Sequence, residues 1–437
     1  MGERIGRFFD FDRYGTTLGR ESLAGLTTFV TMSYIIAVNP AILKAAGIPE
    51  GPSMVATAAT AIFGSVMMGL VANRPFAIAP YMGENAFIAY TVVRVMGYPW
   101  QAALGAVFIA GVAFTALSIG RVRKWMVEAL PAGLSHSFAA GIGLFLTFIG
   151  LNEAGLVVLG VPGAPVHMGN LGSAPALVAI LSFLLISALM LWRVPGAILL
   201  GILGATAVAF ASGVARAPRT WMSLPPDPSP LVMHLDIAGA LKPGFAGITL
   251  AIFVMALIDT MGTLVGVSAL AGFLDERGSL PGIERPMIAD SLSTVFAALM
   301  GTTTSGAFVE SAAGVSVGGR TGFTALVVAA LFGVSLFFAP IVTAIPAAAY
   351  GPALIVVGSL MMTPIAKIDF TDPGESVPAF AVIALMSFTY NIGVGITAGL
   401  VLYPLFKVLA GRAGEVRPGL WALAGLSLLF FVFYPYR

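Results

Sequence analysis

Apolar runs about as long as a bilayer crossing follow one another along almost the whole chain, and this pattern restricts the fold more than any other feature. They lie near 22–43, 53–72, 76–96, 100–120, 126–150, 174–192, 194–213, 244–272, 284–301, 303–320, 321–344, 347–363, 376–392 and 393–410. Each approaches the roughly 20 residues a helix needs to cross hydrocarbon. Only 10% of the 437 residues are charged, while 58% are hydrophobic. A soluble domain averages about 25% charged residues, so this chain cannot cover a water-facing surface. It reads as an all-α polytopic membrane protein of about fourteen spans. A further run, 418–436, is either a fifteenth span or a surface-lying helix. Residues 1–21 are too charged for a signal peptide and suit a cytoplasmic tail, amphipathic at the lipid surface. The chain has no Cys, which excludes disulfides and thiolate metal sites.

Basic residues orient the spans. With the N-terminus inside, the inner loops collect Arg4, Arg7, Arg13, Arg20, Arg74, Arg121, Arg123, Lys124, Arg193, Arg277, Arg285, Arg320, Lys367, Lys407, Arg412 and Arg417, sixteen of the 22 Lys and Arg. The outer loops collect Lys44, Arg94, Arg216, Arg219 and Lys242, with Arg437 unassigned. This asymmetry matches the positive-inside rule, and omitting one span would move later basic loops to the wrong side. The Pro-rich connection 214–243 then divides the chain into a first seven-span repeat at 22–213 and a second at 244–410, with 411–437 as a C-terminal apolar segment. An odd number of spans per half inverts the second half. Internal echoes support duplication. "LPAGLSHSFAAGIG" (130–143) matches "IPAAAYGPALIVVG" (345–358), aligning Pro131 with Pro346 and Gly143 with Gly358. "GENAFIAYTVVR" (83–94) matches "VESAAGVSVGGR" (309–320), aligning Glu84 with Glu310 and Arg94 with Arg320. Inverted repeats point to a secondary transporter with its site at the membrane midplane.

The third span opens with "RPFAIAPYMGENAF" and the tenth with "TTTSGAFVES". Both begin with residues that continue a helix poorly, then become helix-compatible near an acid. Each reads as an extended segment leading into a half-helix, whose N-terminus would aim free N–H groups and a positive dipole end at one site. Small residues packing helices tightly is the plainer alternative. The eighth span carries Asp259 near its centre, beside a small polar stripe of Ala256, Thr260 and Thr263. An intramembrane acid is costly and a functional candidate; the alternative is an Asp bonded to Thr hydroxyls or a helix end. Glu84 is either a second site acid or the partner of a Ser or Thr on another span. Asp290 reads as a packing or capping residue, His136 as interfacial or hydrogen-bonded, Asn39 and Asn391 as caps, and Arg121, Arg123 and Lys124 as a topology anchor. No Walker-type G-x-x-x-x-G-K-[ST] motif is present, which argues against ATP hydrolysis. Three His and no Cys argue against a catalytic metal. No cofactor and no nucleic-acid partner is expected.

Several stretches, in order along nearly the whole chain, carry a resemblance. They are "ESLAGLTTFVTMSYIIAVNPAIL" (21–43), "NRPFAIAPYMGENAFIAYTVV" (73–93), "IDTMGTLVGVSALAG" (258–272), "IADSLSTVFAALMGTTTSGAFVESAAGVSVGGRTGFTALVV" (288–328) and "PALIVVGSLMM" (352–362). The chain resembles nucleobase–cation symporter family two, the nucleobase–ascorbate transporters or xanthine–uracil permeases, in its azaguanine-type guanine/hypoxanthine branch. The resemblance implies two inverted seven-span repeats folded into a core domain (about 22–120 and 244–344) and a gate domain (about 126–213 and 347–410), with short strands before the half-helices of spans three and ten. It implies Glu310, Asp259 and Asn85 as substrate-binding residues, Phe308 stacking on the base, and peptide N–H groups near Ala86 and Val309 contacting it. Ala256 departs from the branch, which often has a second Asp there; Asp259 and Glu310 then suffice, or Glu84 compensates.

The expected function is uptake of a purine nucleobase, hypoxanthine or guanine with adenine a further candidate, by proton symport with the core moving against the gate. Carboxylates accept a purine's N–H groups, each bond contributing about 1.5–3 kcal/mol. Asp259, Glu310 and Glu84 are the candidates for the coupled proton. Uracil or xanthine transport in the same family is one alternative, and an anion transporter or channel is another. A membrane-embedded enzyme has no nucleophile–base pair to support it. The implied setting is the inner cell membrane, with the N-terminus cytoplasmic and a homodimer formed through the gate.

Overall fold

The computed structural model describes residues 2–119, 130–161, 164–274 and 280–433. Arg121, Arg123, Lys124, Arg277, Arg437 and the first residues expected of the fifth span, 126–129, lie outside the described residues.

Two short helices, Gly2–Phe8 and Phe11–Tyr14, open the chain. The first crossing is broken at Ser33 and Tyr34, between α1 (Leu18–Met32) and α2 (Ile35–Lys44). Helix α3 (Glu50–Met67) follows. Strand β1 (Ile78–Pro80) leads into α4 (Met82–Ala86), which runs on in wider π-helical turns over Phe87–Val95. Then come α5 (Trp100–Ile119), α6 (Ala132–Glu153), a hairpin of β2 (Val157–Val161) and β3 (Ala164–Met168), α7 (Ala174–Leu191) and α8 (Ala197–Ala211). The second half holds α9 (Ala246–Ala271), α10 (Glu284–Met300), β4 (Ser305–Ala307), α11 (Ser311–Ser316), α12 (Gly322–Ser335), α13 (Ala347–Met361), α14 (Pro373–Phe388), α15 (Ile392–Leu409) and α16 (Pro418–Phe433). Among the described residues, nine helices are long and apolar enough to cross a membrane. The third and tenth expected spans are instead a strand followed by a half-helix, and the seventh, ninth and thirteenth are the shorter helices α8, α10 and α14.

Strands β1 and β4 come from the two halves and pair antiparallel, with Ile78 opposite Ala307, Ala79 opposite Gly306 and Pro80 opposite Ser305. One further bond closes each end: Phe308 N–H donates to the Ala77 carbonyl at 2.9 Å, and Tyr81 N–H to that of Thr304 at 3.0 Å. The ladder is therefore two-fold symmetric about Ala79 and Gly306, and the symmetry exchanges Tyr81 with Phe308. This corrects the expected alignment of Glu84 with Glu310 by one residue. In the ladder's register Glu310 corresponds to Gly83, and Glu84 to Ser311. The other echo holds its register. Pro131 and Pro346 both precede the first turns of their helices in extended conformation. Gly143 and Gly358 pack face to face, so that a Cβ on either would collide with the other's carbonyl.

Three further points differ from expectation. The N-terminal segment is not a free tail: Phe9 and Phe11 are buried, edge-on to Phe323. Asn39 caps nothing; it is fully buried and bonds to three other elements, as described below. The hairpin β2–β3 adds strands that the apolar pattern did not suggest. Helix α16 packs along α9 and α15 and reaches the Pro243–Phe245 turn that precedes α9, with Leu420 and Ala424 buried. The 214–243 connection lies across the helix ends, bonding to Gln101, Leu299 and Phe337 through backbone. Asn391 does cap a helix, accepting from Val394 N–H at 3.1 Å.

Candidate functional site

The strand crossing fixes the site because its small residues let the two backbones meet. Gly306 is the tightest point, since a Cβ there would collide with the Tyr81 ring and hydroxyl. With that space open, the Tyr81 and Phe308 rings lie parallel, 6.2 Å apart with 5° between their planes. Just beyond Phe308, Val309 is exposed, and Glu310 immediately precedes α11 without its side chain capping the helix. Tyr34, at the break in the first crossing, donates its hydroxyl to Glu310 Oε1 at 2.6 Å.

The matching half-helix α4 holds Glu84, Asn85 and Ala86, all fully buried. The first of its amides to find an acceptor four residues back is that of Asn85, on the Tyr81 carbonyl. Ala86 therefore lies inside the helix, past the leading amides. The Asn85 side chain donates Nδ2–H to Asn39 Oδ1, and its own Oδ1 has no partner among the described residues. Neither oxygen of Glu84 has a hydrogen-bond partner among the described residues.

Helix α9 supplies the third wall. Asp259 is half-buried and lines a cavity of about 680 Å³ with Thr263, Gly262, Ser135, His136 and Lys367. Its neighbour Thr260 turns the other way and donates to Asp290 Oδ1 at 3.0 Å. Asp290 Oδ2 accepts Ala307 N–H at 2.9 Å. The Tyr81 hydroxyl lies 3.3 Å from Thr260 Oγ1. This chain of bonds fastens the strand crossing to α9 and gives Asp290 a structural role. Ala256 is buried. The structure thus brings Glu310, Phe308 and Val309 together at one half-helix, Asn85, Ala86 and Glu84 at the other, and Asp259 on the adjoining cavity wall. Sequence reasoning passed over Tyr81 and Tyr34. Aligning the repeats on the strands, where Tyr81 matches Phe308, finds the first; the second is marked only by its place in a long-range contact.

The Xan_ur_permease model, of a permease family, matches residues 19–398. The chain belongs to this family, the nucleobase–ascorbate transporters. The permease is 43% identical over 429 residues to a Methanocaldococcus jannaschii protein named as a permease with no stated solute, covering 98% of each chain. It is 40% identical over 427 residues to the adenine permease AdeP of Escherichia coli, covering 98% of this chain and 96% of that one. With the guanine/hypoxanthine permease PbuO of Bacillus subtilis it shares 39% over 431 residues, covering 97% and 99%. Among solved structures, the transmembrane domain of the cyanobacterial bicarbonate transporter BicA superposes with a TM-score of 0.64 at 18% identity, covering 88% of this chain and 97% of that one. SLC26A9 superposes with a TM-score of 0.65 at 12% identity, covering 92% and 66%. At these identities the likeness is one of fold. The permease is a multi-pass membrane protein that moves a solute and is not an enzyme.

Proposed function

We propose that this permease takes up purine nucleobases, hypoxanthine or guanine with adenine a further candidate, by proton symport. The observation that carries this reading is the pair of parallel rings, Tyr81 and Phe308, beside the Glu310 carboxylate. Two aromatic faces suit a planar solute, and a carboxylate next to them accepts its N–H groups. Asn85 Oδ1 supplies a further acceptor and the Val309 amide a donor for a ring carbonyl, while Asp259 lines the cavity. A site built on acceptors rejects analogues without donors, because its buried oxygens would be left unpaired. Carboxylates at the crossing also argue against an anion as substrate. Names of the relatives divide between adenine and guanine/hypoxanthine, at 40% and 39% identity, so they favour purine over pyrimidine without ranking the purines.

Coupling falls to Asp259, Glu310 or Glu84. Moving one proton inward gains about 2.3 kcal/mol per 100 mV, which supports accumulation. In this reading α1–α5 and α9–α12 form a core with their strands and half-helices, α6–α8 and α13–α15 form a gate, and the core slides against it. The N-terminus is cytoplasmic, in the inner cell membrane, and dimers form through the gate, where Phe380 and Phe388 are exposed. The test is radiolabelled hypoxanthine uptake in proteoliposomes, competed by each base. Glu310→Gln and Asp259→Asn are expected to lower uptake at least tenfold. Wild-type-like uptake in both, or accumulation that persists after a protonophore without sodium, would overturn the site or the coupling respectively.

A further inference from the structure

The two half-sites belong to opposite repeats, yet both are held by the broken first crossing. We propose that Tyr34 and Asn39, with Thr57 behind them, are positioning residues that set the site to accept hydrogen bonds and so select solutes rich in N–H donors. This rests on the purine reading above.

The direction of each bond follows from the chemistry of its partners. The Thr57 hydroxyl donates to the Ser53 carbonyl at 2.7 Å. Its single proton is thereby used, so toward Asn39 it can only accept. Asn39 must then turn its amide nitrogen to Thr57, at 2.7 Å, and the same nitrogen reaches Thr302 Oγ1 at 3.1 Å. That leaves Asn39 Oδ1 facing Asn85. Asn85 in turn must offer its nitrogen to Asn39, and its oxygen is left buried without a partner among the described residues. An unpaired buried acceptor is costly, and a ligand N–H would satisfy it. The orientation of Asn85 is thus decided two residues away, by a threonine on α3 that does not line the site.

Tyr34 does the same for the other half. Its side chain is fully buried, and its hydroxyl occupies Glu310 Oε1. A phenol donates to a carboxylate, so one oxygen is filled, the carboxylate plane is fixed, and Oε2 remains for a solute. Tyr34 and Asn39 are five residues apart, about 7.5 Å along a helix. One short segment, "YIIAVN", therefore sets the polarity of both half-helices. The break after Met32 gives Tyr34 its own direction, because Ile36 and Ala37 bond back over three residues instead of four.

The test uses full-length protein in detergent and in proteoliposomes. Binding of hypoxanthine is compared with that of its N-methylated analogues, which keep the ring but lose one N–H each. The wild type should discriminate against them. Tyr34→Phe and Thr57→Val should each weaken hypoxanthine binding by roughly tenfold, while changing binding of the matching analogue little. In double-mutant cycles, Tyr34→Phe should add nothing once Glu310→Gln is present, and Thr57→Val nothing once Asn85→Ala is present. Unchanged discrimination, or additive losses in both cycles, overturns the proposal. If Thr57→Val does not fold, Tyr34→Phe, which deletes one oxygen, decides alone through its cycle with Glu310. A wild type that binds none of the purines overturns the purine reading instead.

Discussion

Two residues show how narrowly the site is built. Gly306 admits the Tyr81 ring, so Gly306→Ala should push Tyr81 out of parallel with Phe308. Hypoxanthine uptake is expected to fall roughly tenfold, as for a lost stacking contact of about 1.5 kcal/mol, with the fold kept. Uptake and a detergent melting curve on the same preparation check this; normal uptake removes the paired rings from the mechanism. Asp290 acts differently. Asp290→Ala would leave the buried Ala307 N–H unpaired, costing about 1–3 kcal/mol and appearing as a lower melting temperature before any change in solute selectivity. The sequence made Glu310, Asp259 and Asn85 visible because polar groups are conspicuous in an apolar chain. It hid Tyr81 and Tyr34, whose aromatic rings are indistinguishable from lipid-facing or core residues until the partner 227 or 276 residues away is known. Asn39 was misread for the same reason: next to Pro40 it looks like a cap, and only Thr57, Thr302 and Asn85 reveal otherwise.

At the level of elements, α14 and α15 are joined at one end by charge. Lys407, with 1% of its side chain exposed, lies 2.8 Å from Glu375 and 3.0 Å from Glu415. Arg412 bonds to Glu415 through Nε at 2.7 Å and to Asp372. The Arg412 and Lys407 bonds hold the Glu415 carboxyl down to about 2, below its usual value of about 4.3. A depressed acid stabilises the fold above its unfolded value, and that contribution is lost as pH falls through its folded value. The melting temperature is therefore expected to drop between about pH 4 and pH 2, and Arg412→Ala should move the drop to higher pH. An unchanged profile would show the cluster to be solvated and neutral in effect. Broken elements were legible where Gly, Pro, Ser and Thr collect, as in "TTTSGAF" and "RPFAIAP". The hairpin β2–β3 was not, because its strands are short apolar stretches between helices and carry no amphipathic period to set them apart.

The whole molecule is asymmetric about the strand crossing. On one side lies the cavity lined by Asp259, His136 and Lys367. On the other, the continuation of α4 is fastened to its neighbours: Tyr90 donates to Glu153 Oε1 at 2.8 Å, Tyr350 to Glu153 Oε2 at 3.0 Å, and Thr91 to the Tyr390 carbonyl at 2.8 Å. Tyr390 adopts a positive φ of 55°, an uncommon conformation for a bulky side chain, and its ring stands edge-on to Tyr90, Phe145 and Phe148. In the proposed division Tyr90 and Thr91 belong to the core, and Glu153, Tyr350 and Tyr390 to the gate. Sliding one against the other must then break the Tyr90–Glu153 and Thr91–Tyr390 bonds, while Tyr350 holds Glu153 within the gate, so these two bonds weight the equilibrium toward the conformation with the cavity open on the side of the N-terminal helices. The absence of Cys makes this directly measurable. A single Gly266→Cys, on the exposed cavity wall, should react with a membrane-impermeant thiol reagent from that side. Adding Tyr90→Phe and Thr91→Val removes both bonds between core and gate, nominally about 3 kcal/mol if each contributes about 1.5 kcal/mol. A shift of that size changes a two-state ratio by roughly a hundredfold, so labelling should slow markedly, and saturating hypoxanthine should not restore it. Labelling at the wild-type rate would mean that the two bonds persist in both conformations and that core and gate divide elsewhere.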